Sequence, residues 1–171
     1  MGMEIERKFL VRGDGWRTVG PAPGGVRLTQ GYLNRDPART VRVRVAGEQA
    51  FLTIKGLTHG ATRLEFEYPI AVADAQDLLA LCDGPLIDKT RHTLTLLAGQ
   101  PTAPGGQVLA GVWEVDEFHG DNAGLVVAEI ELASEHQPFH RPDWLGEEVT
   151  HDARYYNSAL AVRPYRSWFT V

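Results

Sequence analysis

Apolar and charged residues trade places at every second position through short windows along the whole chain. Near the start, EIERK sets Glu4, Glu6 and Lys8 on alternate positions; TVRVRV at 40–45 sets Arg42 and Arg44 against Val41, Val43 and Val45. FLTIKG places Thr53 and Lys55 opposite Leu52 and Ile54, and RLEFEYPI places Arg63, Glu65 and Glu67 opposite Leu64, Phe66 and Tyr68. DKTRHT aligns Lys89 with Arg91, WEVDEF aligns Glu114 with Asp116, and AEIEL aligns Glu129 with Glu131. On a helix, at 100° per residue, such triplets would scatter around the axis. On a strand they share one side, about 7 Å apart, and the aliphatic residues take the other.

Turn residues cut the chain into pieces of strand length. Gly13-Asp14-Gly15, GPAPGG at 20–25, Asn34 to Pro37, Gly47, Gly60, Gly84-Pro85, GQPTAPGG at 99–106 and Gly120 to Gly124 read as turns or loops. Eight segments between them have strand character: 3–11, 26–34, 39–46, 48–57, 61–70, 86–98, 107–119 and 124–132. Two segments change period. ADAQDLLALCD at 73–83 spaces Leu78, Leu79 and Cys82 for a helix, and DARYYNSALAVR at 152–163 predicts a second, capped by Asp152 and ended by Pro164. The fold class is therefore mainly β with flanking helices.

The aliphatic faces must be buried, and two arrangements satisfy that. They can fill the inside of a barrel with the charges outside, or lie under helices and loops with the charges lining the interior. Periodicity alone does not choose. The sorting of acids and bases into separate short windows is unlike the mixed outer face of an ordinary sandwich.

At 171 residues the chain suits one domain, burying roughly 70% of its unfolded surface. Apolar residues at 43% and charged residues at 23% are ordinary for a globular protein, and a formal charge of −5 argues against a general nucleic-acid or membrane-surface binder. Cys82 is the only cysteine, so no intramolecular disulfide forms and a reducing cytoplasm is the expected location. The charged start lacks an apolar signal region, and no apolar run approaches a membrane span. The six histidines lack paired metal-ligand spacing.

If the charges line an interior, the basic set (Lys8, Arg42, Arg44, Lys55, Arg63, Lys89, Arg91) and the acidic set (Glu4, Glu6, Glu65, Glu67, Glu114, Asp116, Glu129, Glu131) nearly cancel. Such a lumen is costly when dry. Filled with water, it could hold divalent metal on its carboxylates and a polyanion on its cations. Mg2+ and Mn2+ favour oxygen ligands, arginine forks onto phosphate oxygens, and phosphoryl transfer needs positioning and charge neutralisation more than a Ser, Cys or His nucleophile.

These residues carry a resemblance. Glu4-Ile5-Glu6-Arg7-Lys8 matches the ExExK signature of the CYTH superfamily, the triphosphate tunnel metalloenzymes. The match runs on in order through RVR at 42–44, the TIKG lysine, Arg63-x-Glu65-x-Glu67, Lys89-x-Arg91, Glu114-x-Asp116, Glu129-x-Glu131 and the EVTHDARYYNSALA tail. The resemblance implies a single CYTH domain over 1–171, an eight-stranded antiparallel tunnel with charges inward, and a C-terminal helix plugging one end. It implies Glu4, Glu6, Asp116, Glu129 and Glu131 as metal ligands, with Glu65 and Glu67 as further candidates. Lys8, Arg42, Arg44, Lys55, Arg63, Lys89 and Arg91 become phosphate ligands, and Arg154 stands where some relatives bring a lysine into the tunnel.

The expected function is hydrolysis of a triphosphate, inorganic tripolyphosphate first, with one or two Mg2+ or Mn2+ ions and with Lys8, Glu129 and Glu131 carrying the chemistry. A class IV adenylate cyclase and a thiamine triphosphatase are the alternatives within the family, and a non-catalytic polyphosphate-binding module the alternative outside enzymes. The sequence is compatible with a monomer or a homodimer.

Overall fold

The computed structural model describes residues 2–19, 24–96 and 111–169. Residues 20–23 of the loop expected at 20–25, the loop expected at 99–106, and the strand ends expected at 97–98 and 107–110 lie outside the described residues. The strands are β1 (Gly2–Val11), β2 (Val26–Asn34), β3 (Arg39–Ala46), β4 (Gln49–Gly56), β5 (Thr62–Ile70), β6 (Ile87–Leu96), β7 (Gly111–Phe118), β8 (Val126–Glu131) and β9 (Leu145–Glu148), with helices α1 (Val72–Ala80) and α2 (Asn157–Leu160). All eight expected strands form. They pair antiparallel in the order β5-β4-β3-β2-β6-β7-β8-β1, and β1 closes the barrel by pairing β5.

Closure is shared along β1. Residues Gly2 to Ile5 pair β5, Glu6 to Leu10 pair β8, and the short β9 takes the β5 side farther on through Phe9 and Val11. Sequence reasoning missed β9, because LGEE has no alternation to read. Its approach depends on Gly146, where an added Cβ would meet the Leu10 carbonyl oxygen at 2.8 Å. Between the two partners, Thr150 completes the ladder: its Oγ1 accepts from the Lys8 backbone N–H at 3.0 Å, and Val149 N–H donates to Lys8 O at 2.8 Å.

The closed sheet decides the orientation that periodicity left open. The charged rows face inward, and the outward rows bury apolar residues in two covers. Trp16, Phe139 and Trp144 pack over Phe9, Trp113, Val115, Ala128 and Ile130 on β1, β7 and β8. On the other side α1 lays Ala75, Leu78 and Leu79 over Val43, Ala50 and Leu52 of β3 and β4. Gly31 lets the end of this helix come close, since a Cβ there would meet Cys82 Sγ at 2.7 Å. The helix ends at Ala80, short of the expected 83, so Cys82 sits half-buried just past it with its thiol donating to Leu78 O.

At one end the inward face turns apolar. Ile87, Phe118 and Val127, continuing the charged rows of β6, β7 and β8, pack with Tyr32, Leu125, Leu160 and Ala161 and stop the bore. The helix expected over 152–163 is therefore a correction. A single 3-10 turn, Ala153–Tyr155, is capped by the Asp152 side chain accepting from Arg154 N–H, and only Asn157–Leu160 are α-helical. Tyr156 separates them because its backbone is extended (ψ 137°), which lets its hydroxyl donate to Thr150 O at 3.2 Å. Among the described residues, no helix is long and apolar enough to cross a membrane.

Candidate active site: a charged tunnel

Strand register gathers the charged side chains. Lys8 stands opposite Glu129, and Glu129 opposite Glu114, in one row across β1, β8 and β7; Glu6 stands opposite Glu131. On the facing wall Tyr32, Arg42, Thr53 and Glu67 form a row across β2 to β5, with Lys55 opposite Glu65, and Arg63 opposite Glu4 where the barrel closes. These walls enclose a cavity of about 1020 Å³ lined by Glu4, Glu6, Lys8, Arg42, Arg44, Lys55, Arg63, Glu65, Glu67, Arg91, Glu114, Glu129 and Glu131.

The charges of the lining pair with one another. Lys8 Nζ lies 2.6 Å from Glu129, Lys55 Nζ 2.5 Å from Glu65, and Arg63 Nε 2.5 Å from Glu4. Arg42 and Arg44 share Glu67 at 3.2 Å, and Thr53 Oγ1 donates to the same carboxylate at 2.8 Å. Arg91 forks onto Asp116 at 2.7 Å, reaches Glu129 at 2.9 Å and pairs with Glu114. Two donors are left over: the buried Nε groups of Arg42 and Arg44 have no acceptor. A buried donor without a partner costs about 1–3 kcal/mol, and these two are shielded from the cavity as the arginines stand, so what an incoming anion meets is their NH groups.

The electrostatics separate the carboxylates. Burial and the charge of Glu129 push the Glu6 carboxyl up to about 7, against the pull of Lys8. Burial acts on Glu4 in the same sense, but Lys55 and Arg63 outweigh it and hold that group down at about 2. Glu129 lies well below the usual range because Lys8 and Arg91 more than offset its burial. Burial also raises Glu65 and Glu114.

Three residues expected in the site stand elsewhere. Lys89 and Asp116 do not line the cavity; they form a fully buried pair at 2.6 Å deeper in the bore, between the cavity and the apolar plug, with Lys89 Nζ also donating to Asn157 Oδ1 at 3.3 Å. Both Asp116 oxygens are taken, by Arg91 and Lys89, so as the residues stand Asp116 orients a lining arginine and offers no free metal ligand. Arg154 is exposed outside the tunnel, held by Asp152 at 2.6 Å with its guanidinium over Trp168. Conversely, Tyr32, Tyr156, Asn157 and Thr150 line the cavity. Being uncharged, they gave no alternation signal, although Tyr32 does lie in register with Arg42.

Donor type fits a hard divalent ion. The carboxylates of Glu6, Glu129 and Glu131 stand on adjacent strands with like charges directly opposite, an arrangement that costs stability until a cation or a proton intervenes. Burial first, and then the charge of Glu129, raise the Glu6 carboxyl. Among the described residues, no three metal-binding side chains converge on one point as they stand, and Glu129 is held by Lys8 and Arg91.

A model of the CYTH domain matches residues 2–161. An inorganic triphosphatase of Acetivibrio thermocellus is 44% identical over 169 residues, spanning 98% of this chain and 99% of that protein. An inorganic triphosphatase of Nitrosomonas europaea is 38% identical over 167 residues, spanning 93% and 97%. The crystal structure of the inorganic triphosphatase NE1496 superposes with a TM-score of 0.58 at 35% identity, over 95% of this chain and 96% of that one.

Proposed function

The chain belongs to the CYTH domain family, and from that membership and the geometry of its tunnel we propose that it hydrolyses inorganic triphosphate to pyrophosphate and orthophosphate. The observation that carries this reading is the cavity lined by Lys8, Arg42, Arg44, Lys55, Arg63 and Arg91, each paired with a lining carboxylate that a polyanion can displace. A linear triphosphate can take over those cations from Glu67, Glu65, Glu4 and Glu129. Arg42 and Arg44 would grip one end, Lys55 and Arg63 one flank, and Lys8 and Arg91 the other.

Water attacks the terminal phosphorus, the P–O bond to the bridging oxygen breaks, and pyrophosphate leaves with the electron pair. Glu131, which pairs with no cation among the described residues, and Glu129, once Lys8 turns to phosphate, are the groups on this wall able to orient that water. Glu6, Glu129 and Glu131, with Glu4 in reach, would hold Mg2+ or Mn2+, which neutralises phosphate charge when bound. Lys8, central between Glu6 and Glu129, keeps its proton: burial lowers its affinity, but both carboxylates more than compensate. It therefore serves as a fixed positive charge at the developing one on phosphate. The single cysteine fits a reducing cytoplasm.

The test is a product panel with tripolyphosphate, ATP, thiamine triphosphate and longer polyphosphate, each with Mg2+, Mn2+ or EDTA. Orthophosphate and pyrophosphate in equal amounts from tripolyphosphate, lost in EDTA, are expected. Cyclic AMP from ATP would assign a cyclase instead, and tight binding without turnover a polyphosphate-binding module.

A further inference from the structure

Among the described residues, half of the outward apolar face of the β3–β4–β5 sheet has no cover. Where α1 lies on it, Val43 and Ala50 are buried; one step along the same rows the cover stops. Val41, Ile54 and Phe66 stand in register across the three strands, Leu52 faces Tyr68, and Leu64 faces Met3 on β1. Met3 is 69% exposed, Leu64 53%, Tyr68 45%, Ile54 39% and Phe66 37%.

We propose that this face is the interface of a two-fold dimer, and that its occupant is the same face of a second copy of the chain. The area supports this. With about 200 Å² for a large side chain, those five exposures leave on the order of 500 Å² of contiguous apolar surface, at the upper end of what a monomer shows to water. A standard interface takes about 800 Å² from each partner, a little over half of it apolar, so one such patch supplies roughly the apolar share required.

Charge supports a like partner. The chain carries a formal −5, so most approaches of one copy to another bring like charge together. The outward positions of this patch carry apolar side chains and Thr62, with Arg39 at the rim paired to Asp36 at 3.1 Å, so face-to-face pairing across it brings no unpaired like charge together. An isologous contact also needs a self-complementary surface, and flat rows of aliphatic and aromatic residues around Phe66 meet that condition. The patch lies outside the barrel wall, with Leu64 and Phe66 pointing away from the cavity that their neighbours Glu65 and Glu67 line. Dimerisation and hydrolysis are therefore separable.

The test is sedimentation equilibrium of the full chain across about 1–100 μM, beside Phe66→Glu and Met3→Glu. Wild type is expected at twice its 18.9 kDa mass, and both variants at 18.9 kDa with turnover of tripolyphosphate within twofold of wild type. Met3→Glu, on the most exposed residue, keeps the test valid should Phe66→Glu fold poorly. A monomeric wild type at the highest concentration overturns the proposal. So does a dimer that survives both substitutions in proteins with native circular dichroism.

Discussion

Of the three lysines that face the inside of this barrel, two lie 2.6 Å from a carboxylate on a neighbouring strand and end in opposite situations. Lys8 and Glu129 line the open cavity, where Glu6 lies 3.7 Å from the ammonium. Lys89 and Asp116 sit deeper in the bore, against Asn157 of the C-terminal segment. Burial draws Lys89 down to about 8 despite Asp116, whereas its carboxylates drive Lys8 above the usual lysine value. The pairs are alike in spacing and chemistry. What separates them is depth along the bore relative to the plug, so one pair can exchange partners with an incoming anion while the other cannot without moving the plug.

The contrast should appear first in stability. Asp116→Asn strands the Lys89 ammonium in a closed site, and breaking a buried pair in this way costs about 3–5 kcal/mol. At roughly 2–4 °C per kcal/mol for a chain of this size, Tm should fall on the order of 10 °C in a thermal scan. An unchanged Tm would show that the pair is not sealed.

Glu129→Gln should do the reverse. Lys8 keeps Glu6 and the water of the cavity, so the stability loss should stay near 1 kcal/mol, while kcat/KM for tripolyphosphate falls about 10²-fold or more, some 2.7 kcal/mol of transition-state stabilisation. Steady-state kinetics beside a melting curve separates the two effects.

Glu6 adds a pH dependence. Its carboxyl titrates near 7 in the fold against 4.5 in the open chain, so the folded protein holds an extra proton between those values. The contribution of this group to the metal-free protein is complete below about pH 4.5 and is lost as pH rises through about 7. Metal needs the same oxygens without the proton. Calorimetric Mn2+ affinity should therefore be about tenfold weaker at pH 6 than at pH 8, and Glu6→Gln should flatten that dependence. The smallest effect belongs to Arg154→Ala, expected to leave kcat/KM within about twofold because that side chain reaches only Asp152 and the aromatic surface beside it.

The barrel was legible because its register preserves what the sequence displays. A period of two survives closure unchanged, so Arg42 and Arg44, or Glu129 and Glu131, share a wall wherever that wall stands. Which way the wall faces was not legible, since alternation is symmetric between inside and outside until β1 pairs β5. The sealed pair was hidden for a related reason: depth along the bore depends on where Leu160 and Ala161 stop, a tertiary contact with no local signal. The break at Tyr156 escaped notice because a helical spacing of apolar residues runs straight through it. Arg154 was expected in the tunnel from the resemblance alone, as the stand-in for a lysine of some relatives; in the 3-10 turn its side chain folds back on Asp152.

The central claim is that the inward cations exchange their carboxylates for phosphates. A crystal structure of Glu129→Gln soaked with tripolyphosphate tests it most directly. Density for three linked phosphates is expected inside the bore, within hydrogen-bond reach of Arg42, Arg44, Lys8 and Arg91, with Glu67 released from both arginines. An empty bore with those ion pairs intact, at a ligand concentration that saturates binding in solution, would contradict the account.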